Sequence, residues 1–366
     1  MTAVKSDGFL SKNVYLWYIL DYMKKLSLTI LLMCIALGAL AQSFKPLLPL
    51  KPGKTVFLYA SDKDAALAAI DDPVVADDVV CLSLPVKEEC GITEPERMVG
   101  DLGQICNINR TARFDLYLPE KPNGKMVVMC PGGGYVVVCT YGEGLYAAAW
   151  LLEKGYAVAV AKHRMPNGHW TVPLEDMQNI FRWCRSQSIL WGVDKIGVMG
   201  YSAGGHLAAS VSTLYVDAAT RPDFSVLFYP VITFEGEHVE PGTRMNLLGR
   251  EEYWAERKGY TPDEYLARQK QYAELKEHYS LEKRVDANTP PAFIVHGQAD
   301  DVVPVQNSLA YNSSLIANGV KGELQIYDAP KHGFCFFWGD IAKYDWLAPE
   351  IRSNLNNSLE RWLNNQ

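Results

Sequence analysis

The chain has few cysteines, and none of them in a metal-binding spacing. Its eight cysteines include no C-x-x-C pair, and no H-E-x-x-H segment occurs, so a zinc site built on a familiar motif is not expected. Lysine and arginine are neither abundant nor clustered. With 35 of them against 42 aspartates and glutamates, the net charge is -7, which leaves nothing to neutralise phosphates and argues against nucleic acid as a partner. No apolar run reaches the about 20 residues of a stable membrane span. Internal repeats and low-complexity tracts are also absent.

What is there is ordinary globular composition, 48% hydrophobic and 21% charged over 366 residues, enough for one large α/β domain. The N-terminal region reads as a secretory signal. Lys24-Lys25 precedes an apolar stretch from Leu26 to Gly38, and Ala39-Leu40-Ala41 forms a small-x-small cleavage site before Gln42. Residues 1–41 form the signal-peptide region, and because residues 1–22 fit neither a fold nor a signal start, translation is expected to begin at Met23. Met33 before Cys34 argues against a lipoprotein. A secreted or periplasmic protein follows as the expectation. Without Cys34 seven cysteines remain, an odd number, and an oxidising compartment could join a pair among Cys81, Cys90 and Cys106.

Residues 42–110 are acidic, turn-rich and without a strong period, and read as an N-terminal extension wrapping the core. From residue 111 onward strands and helices alternate. Strands are predicted over 113–118, 125–130, 156–161, 195–199, 224–229, 292–296 and 322–327, and helices over 144–154, 172–190, 203–211 and 346–363. That order implies a mostly parallel sheet covered by helices on both faces. Residues 234–285 interrupt it with charged helical sequence carrying aromatics. They read either as a solvated hairpin or as a lid or substrate-binding insertion.

The strongest motif is Gly200-Tyr201-Ser202-Ala203-Gly204, directly after the apolar run Ile196 to Met199. This G-x-S-x-G pattern fits a sharp strand-to-helix turn that exposes a serine hydroxyl. A serine needs a base, and the base needs an acid to orient it. His332, in a short loop after the last predicted strand, is the candidate base. Asp300 follows the strand 292–296 and is the candidate acid, with Asp301 as the alternative. The order Ser, Asp, His is the one expected of an α/β-hydrolase. His206 is a rival base, but it lies a helical turn beyond Ser202 and should point away from a substrate. Gly132-Gly133-Gly134 follows a strand. Gly133 and Gly134, with the amide of Ala203, are the expected donors to a developing oxyanion.

These segments together resemble bacterial α/β-hydrolase esterases related to acetylxylan and feruloyl esterases, over about Phe114 to Trp362. Asp115-Leu116-Tyr117-Leu118-Pro119, the C-P-G-G-G-Y segment at Cys130–Tyr135, Lys162-His163-Arg164-Met165-Pro166 and the Ser202, Asp300 and His332 motifs carry the likeness. The resemblance implies a triad of Ser202, Asp300 and His332, oxyanion glycines at Gly133 and Gly134, and no cofactor. Val136-Val137-Val138-Cys139 and a long insertion near residues 250–280 depart from the usual pattern and are expected to border the pocket. Trp170, Trp254, Tyr135 and Trp338 are candidate sugar platforms, each with an ordinary packing role as the plainer reading. The expected activity is serine-dependent hydrolysis of small acyl esters, such as acetyl groups on glycans. Two alternatives remain: a peptidase of the prolyl oligopeptidase type, for which residues 42–110 are too few to supply a propeller, and a catalytically inert binding module.

Overall fold

A computed structural model describes residues 50–100, 103–334 and 348–366. The expected signal segment 1–41 with its cleavage point, Cys335, Trp338 and the first residues of the predicted closing helix lie outside the described residues. Among those described, no helix is long and apolar enough to cross a membrane.

Twelve strands are described: β1 (Lys54–Phe57), β2 (Val79–Cys81), β3 (Arg97–Val99), β4 (Gln104–Cys106), β5 (Arg113–Tyr117) and β6 (Lys125–Cys130). They continue with β7 (Val137–Cys139), β8 (Ala157–Lys162), β9 (Lys195–Tyr201), β10 (Ser225–Phe228), β11 (Ala292–Gly297) and β12 (Gly322–Tyr327). Nine of them form one sheet in the order β12-β11-β10-β9-β6-β8-β5-β1-β2. The run from β12 to β8 is wholly parallel, while β5 pairs antiparallel with both β8 and β1. Strands β6, β8, β9, β10 and β11 are buried at successive positions, so both faces of the sheet are covered. Their apolar sequences without alternation are the consequence.

The helices are α1 (Lys63–Ala68), α2 (Tyr146–Glu153), α3 (Val172–Gln187), α4 (Ser202–Thr213), α5 (Pro241–Leu248), α6 (Glu251–Ala255), α7 (Pro262–His278), α8 (Gln306–Ala317) and α9 (Pro349–Asn364). In α9, Trp362 is buried between Phe224 and Phe293, with ring centroids 6.1 and 5.7 Å away. The predicted helix at 144–154 is in fact a π-helical turn, Tyr141–Leu145, running into α2. The insertion α5–α7 is helical as expected. Helix α7 opens with a capping box between Thr261 and Glu264, and Tyr272 is its one buried side chain, stacked on Trp254 at 5.2 Å. It is a mostly solvated helix, held to α6 by that aromatic pair and by Arg268 and Gln269, which donate to the Tyr253 and Trp254 carbonyls.

The border drawn at residue 110 is corrected by the sheet. Residues 54–57 and 79–81 enter it as β1 and β2, and β3 and β4 form a small antiparallel sheet with β7. These strands are three or four residues long, too short to show alternation in the sequence. Buried charges fasten them. Arg113 on β5 reaches Asp72 at 3.0 Å and Glu96 at 2.8 Å, and Lys162 on β8 pairs with Asp72 and Asp115. Nearby, Arg164 binds Asp176 at 2.7 Å, the Tyr59 hydroxyl at 2.8 Å and the Glu88 carbonyl at 2.7 Å. The valine run forms a strand: Val137–Cys139 is β7, with Val138 fully buried and Val136 exposed. Cys81, Cys90 and Cys106 carry free thiols, Cys106 donating to the Arg97 carbonyl.

Arg113 is the test of this fastening, because its removal leaves the buried Glu96 without a cation and Asp72 with Lys162 alone. Arg113→Leu is expected to destabilise the fold by about 3–5 kcal/mol. A urea unfolding midpoint equal to that of the wild type would contradict a structural role for residues 50–100.

Candidate active site

The C-terminal ends of the parallel strands gather the chemistry, as open α/β sheets require. At the end of β9 the chain turns into α4 through Ser202, which holds a left-handed φ of 54°. For a non-glycine residue this conformation is strained. Packing enforces it. A Cβ at Gly204 would lie 2.1 Å from the Cys130 carbonyl oxygen, and one at Gly200 would lie 2.2 Å from that of Gly204. Only glycine lets α4 seat so closely on the ends of β6 and β9.

Three of the expected residues meet. His332 Nε2 is 2.9 Å from Ser202 Oγ, and its Nδ1 is 2.8 Å from Asp300 Oδ2. An ionised carboxylate can only accept, so Nδ1 carries the proton and Nε2 is left to accept from the serine hydroxyl. The adjacent Asp301 instead pairs with Lys331 at 3.1 Å on the surface. The Asp300 side chain is fully buried and heavily bonded. Its Oδ1 accepts from the amides of Val302 and Val303 at 3.0 and 2.9 Å, and its Oδ2 lies 3.3 Å from His296 Nε2. Burial by itself would raise its pKa, but the bonds from His296 and His332 prevail and hold the carboxyl well below the usual range.

The glycine loop lies against this turn, and a Cβ on Gly132 would come 3.0 Å from that of Ser202. Gly133, Gly134 and Tyr135 all have positive φ, 129°, 63° and 60°. Two of the loop's carbonyls are consumed nearby in the chain: Gly132 O accepts from Cys139, and Gly133 O from Val136 and Val137. The amides of Gly133 and Gly134 have no partner among the described residues. The amide of Ala203 lies in the first turn of α4, where no intrahelical acceptor exists.

The insertion touches this loop directly, since Asn246 Nδ2 on α5 donates to the Gly134 carbonyl at 2.7 Å. His206 braces it from behind. Its Nε2 is 3.0 Å from the Tyr279 carbonyl and so carries the proton, leaving Nδ1 to accept from the Tyr135 hydroxyl at 3.0 Å. His206 is thus a link between loop, helix and insertion, turned away from Ser202, and burial pushes its pKa down to about 4. Tyr135 and Trp254 are both buried, so of the four aromatic candidates they are packing residues. No group of three His, Cys, Asp or Glu suited to a metal occurs among the described residues.

Residues 114–315 match the BD-FAE family. The chain belongs to the BD-FAE family. The likeness to acetylxylan esterases expected from its motifs is borne out: an acetylxylan esterase of Xylanibacter ruminicola is 35% identical over 245 residues, 66% of this chain and 47% of that protein. Endo-1,4-beta-xylanase B of Butyrivibrio fibrisolvens is 30% identical over 57% of this chain and 32% of its own length. The chain therefore spans about half of the first relative and about a third of the second. A solved acetyl ester-xyloside bifunctional hydrolase of Caldicellulosiruptor lactoaceticus superposes with a TM-score of 0.53 at 28% identity, covering 69% of this chain and 88% of that one. The fold is that of an α/β-hydrolase.

Within this BD-FAE site, reading the sequence missed His296, Asn246 and a buried glutamate, Glu143. His296 had a faint signal, four residues before Asp300 at a strand end. Asn246 lies in a segment, Asn246-Leu247-Leu248-Gly249, that shares in the family likeness but carries no mark of its contact, and Glu143 had none, because its bond to Gly132 is made across the intervening strand β7.

The neutral His206 makes a pH prediction. The unfolded chain protonates this histidine near 6.5, whereas the native one resists until about 4. The unfolded state therefore binds more protons in that window, and native stability falls with falling pH by up to about 1.4 kcal/mol per unit. Urea midpoints from pH 7 to 4.5 should drop more steeply for the wild type than for His206→Asn. Parallel dependences would exclude the assignment.

Proposed function

We propose that this chain is a serine carboxylic-ester hydrolase that removes small acyl groups, acetyl above all, from acetylated glycans. The observation that carries the reading is the unbroken hydrogen-bonded chain Ser202–His332–Asp300, set at a strained turn beside unpartnered loop amides. In this mechanism Ser202 Oγ attacks the ester carbonyl carbon while His332 Nε2 takes its proton. The tetrahedral alkoxide is bound by the amides of Gly133, Gly134 and Ala203, with no reorganisation needed at the moment of reaction. Asp300, ionised across the working pH range, keeps the imidazole in the accepting tautomer and stabilises its cation. The imidazolium returns the proton to the departing alcohol, the C–O bond breaks, and water activated by the same His332 releases the acid from the acyl-enzyme. No cofactor enters.

The acetylxylan esterase relative and the acetyl ester-xyloside hydrolase support acetyl as the acyl group and a glycan as the alcohol. Ala39-Leu40-Ala41 after an apolar run supports export and cleavage near Ala41. Polymer substrates outside the cell fit that location.

Hydrolysis of 4-nitrophenyl esters of increasing acyl length, with acetylated xylan and methyl ferulate alongside, tests the reading. Activity should be highest on acetyl and fall steeply with length. Ser202→Ala should lower kcat by about a million-fold, and Asp300→Asn by about ten-thousand-fold. Undiminished turnover by Ser202→Ala would sink the mechanism, and a preference for feruloyl over acetyl would replace the substrate.

A further inference from the structure

Beneath the glycine loop lies a carboxylate that the mechanism above does not use. Glu143 sits in the π-helical turn Tyr141–Leu145 with 6% of its surface exposed. A π turn is a rare element, frequently found at functional sites. Here it delivers Glu143 to two acceptable partners. Oε2 accepts from the Gly132 amide at 2.6 Å, and Oε1 accepts from the Tyr229 hydroxyl at 2.9 Å. Both partners border the reacting groups. A Cβ built on Gly132 would stand 2.7 Å from Glu143 Oε2 and 3.0 Å from Ser202 Cβ, so Glu143 and Ser202 both pack closely around the Gly132 Cα. Tyr229 follows β10 with an unusual positive φ of 35°, and its ring meets that of His332 edge-on at 4.8 Å.

We propose that Glu143 is a positioning residue that sets both halves of the site from below, fixing the oxyanion loop through the Gly132 amide and the base His332 through Tyr229. The inference rests on the esterase reading and adds to it a residue outside the Ser–His–Asp chain. The physical need is specific. The loop's first amide must be turned away from the oxyanion so that those of Gly133 and Gly134 face it, and a buried amide without an acceptor would cost as much as a lost hydrogen bond. Glu143 supplies that acceptor. Its other oxygen holds the phenol whose ring forms a wall of the imidazole's place. Burial pushes the Glu143 carboxyl up, while the bonds from Tyr229 and Gly132 and the nearby His332 pull it back. The loop and the base are thereby tied to one group, so that neither can shift without the other.

Three variants separate this role from bulk packing. Glu143→Ala removes both acceptors. Glu143→Gln can still accept from Gly132 through its amide oxygen and donate to Tyr229 Oη through its amide nitrogen. Tyr229→Phe cuts only the branch to His332. On 4-nitrophenyl acetate, Glu143→Ala is expected to lower kcat by about 100-fold with KM changed less than about threefold, the size of effect a misplaced site produces. Glu143→Gln should restore kcat to within about tenfold of wild type, and Tyr229→Phe should lie between. The urea midpoint of each variant is measured in parallel. Glu143→Gln as inactive as Glu143→Ala while folded, or Glu143→Ala with wild-type kcat, would overturn the proposal, as would a loss confined to KM. If Glu143→Ala does not fold, Glu143→Gln and Tyr229→Phe carry the test alone: wild-type kcat in Tyr229→Phe overturns the branch to His332. Activity that survives Ser202→Ala would overturn the esterase mechanism and this inference together. Failure of the inference alone leaves turnover serine-dependent.

Discussion

The site depends on one close approach, that of helix α4 to the end of β6. Gly204 seats against the Cys130 and Pro131 carbonyls at a separation no side chain could share. Because the helix starts so near the strand, the turn between β9 and α4 has no room for a relaxed conformation, and Ser202 takes a left-handed φ. The same contact brings the glycine loop beside the first turn of α4. Serine hydroxyl, loop amides and helix amide are therefore neighbours by packing, before any specific side-chain bond is made. Strain of about 1–3 kcal/mol at such a residue persists only where its surroundings over-determine it, and here strand, helix and loop all do.

Around that contact, bonds come from elements far apart in the chain. Asn246 of the insertion holds the Gly134 carbonyl, His206 of α4 holds the Tyr135 hydroxyl, and Glu143 holds the Gly132 amide. Three residues of one loop, Gly132, Gly134 and Tyr135, are thus each tied to a different part of the fold. Such a loop is rigid although it consists largely of glycine, because its freedom is removed by partners rather than by its own side chains. The insertion, anchored through Asn246 and Tyr279, is part of this scaffold at its inner end. Its outer helix α7 is mostly exposed.

The N-terminal segment contributes in a different way. It closes the antiparallel side of the sheet with β1 and β2, and its hairpin β3–β4 pairs with β7, the strand directly after the glycine loop. Buried charge pairs hold it. Arg113, Lys162 and Arg164 each satisfy carboxylates that would be costly to leave alone in the interior. This part of the fold is specified by pairing of charges more than by an apolar pattern.

That difference explains what was legible in the amino-acid sequence. Strands β5, β6, β8 and β9 to β12 announce themselves because they are apolar or alternating over five or more residues in most cases, and the G-x-S-x-G and C-P-G-G-G-Y segments carry the family. Local periodicity and fixed spacing are properties of consecutive residues. Strands β1 to β4 are too short for periodicity, and their partners lie elsewhere in the chain. Asp300 and Asp301 are equivalent by spacing; only the fold turns one inward to His332 and leaves the other with Lys331 on the surface. Glu143 and His206 carry no local mark, since their partners are 11 and 71 or more positions away. The sequence by itself determined the fold class, the family and the segments that form the site, because these follow from short-range pattern. Which groups meet, which carboxylate is buried and which histidine is bound behind the loop were decided by tertiary structure, because hydrogen bonding and desolvation depend on what long-range packing brings within about 3 Å.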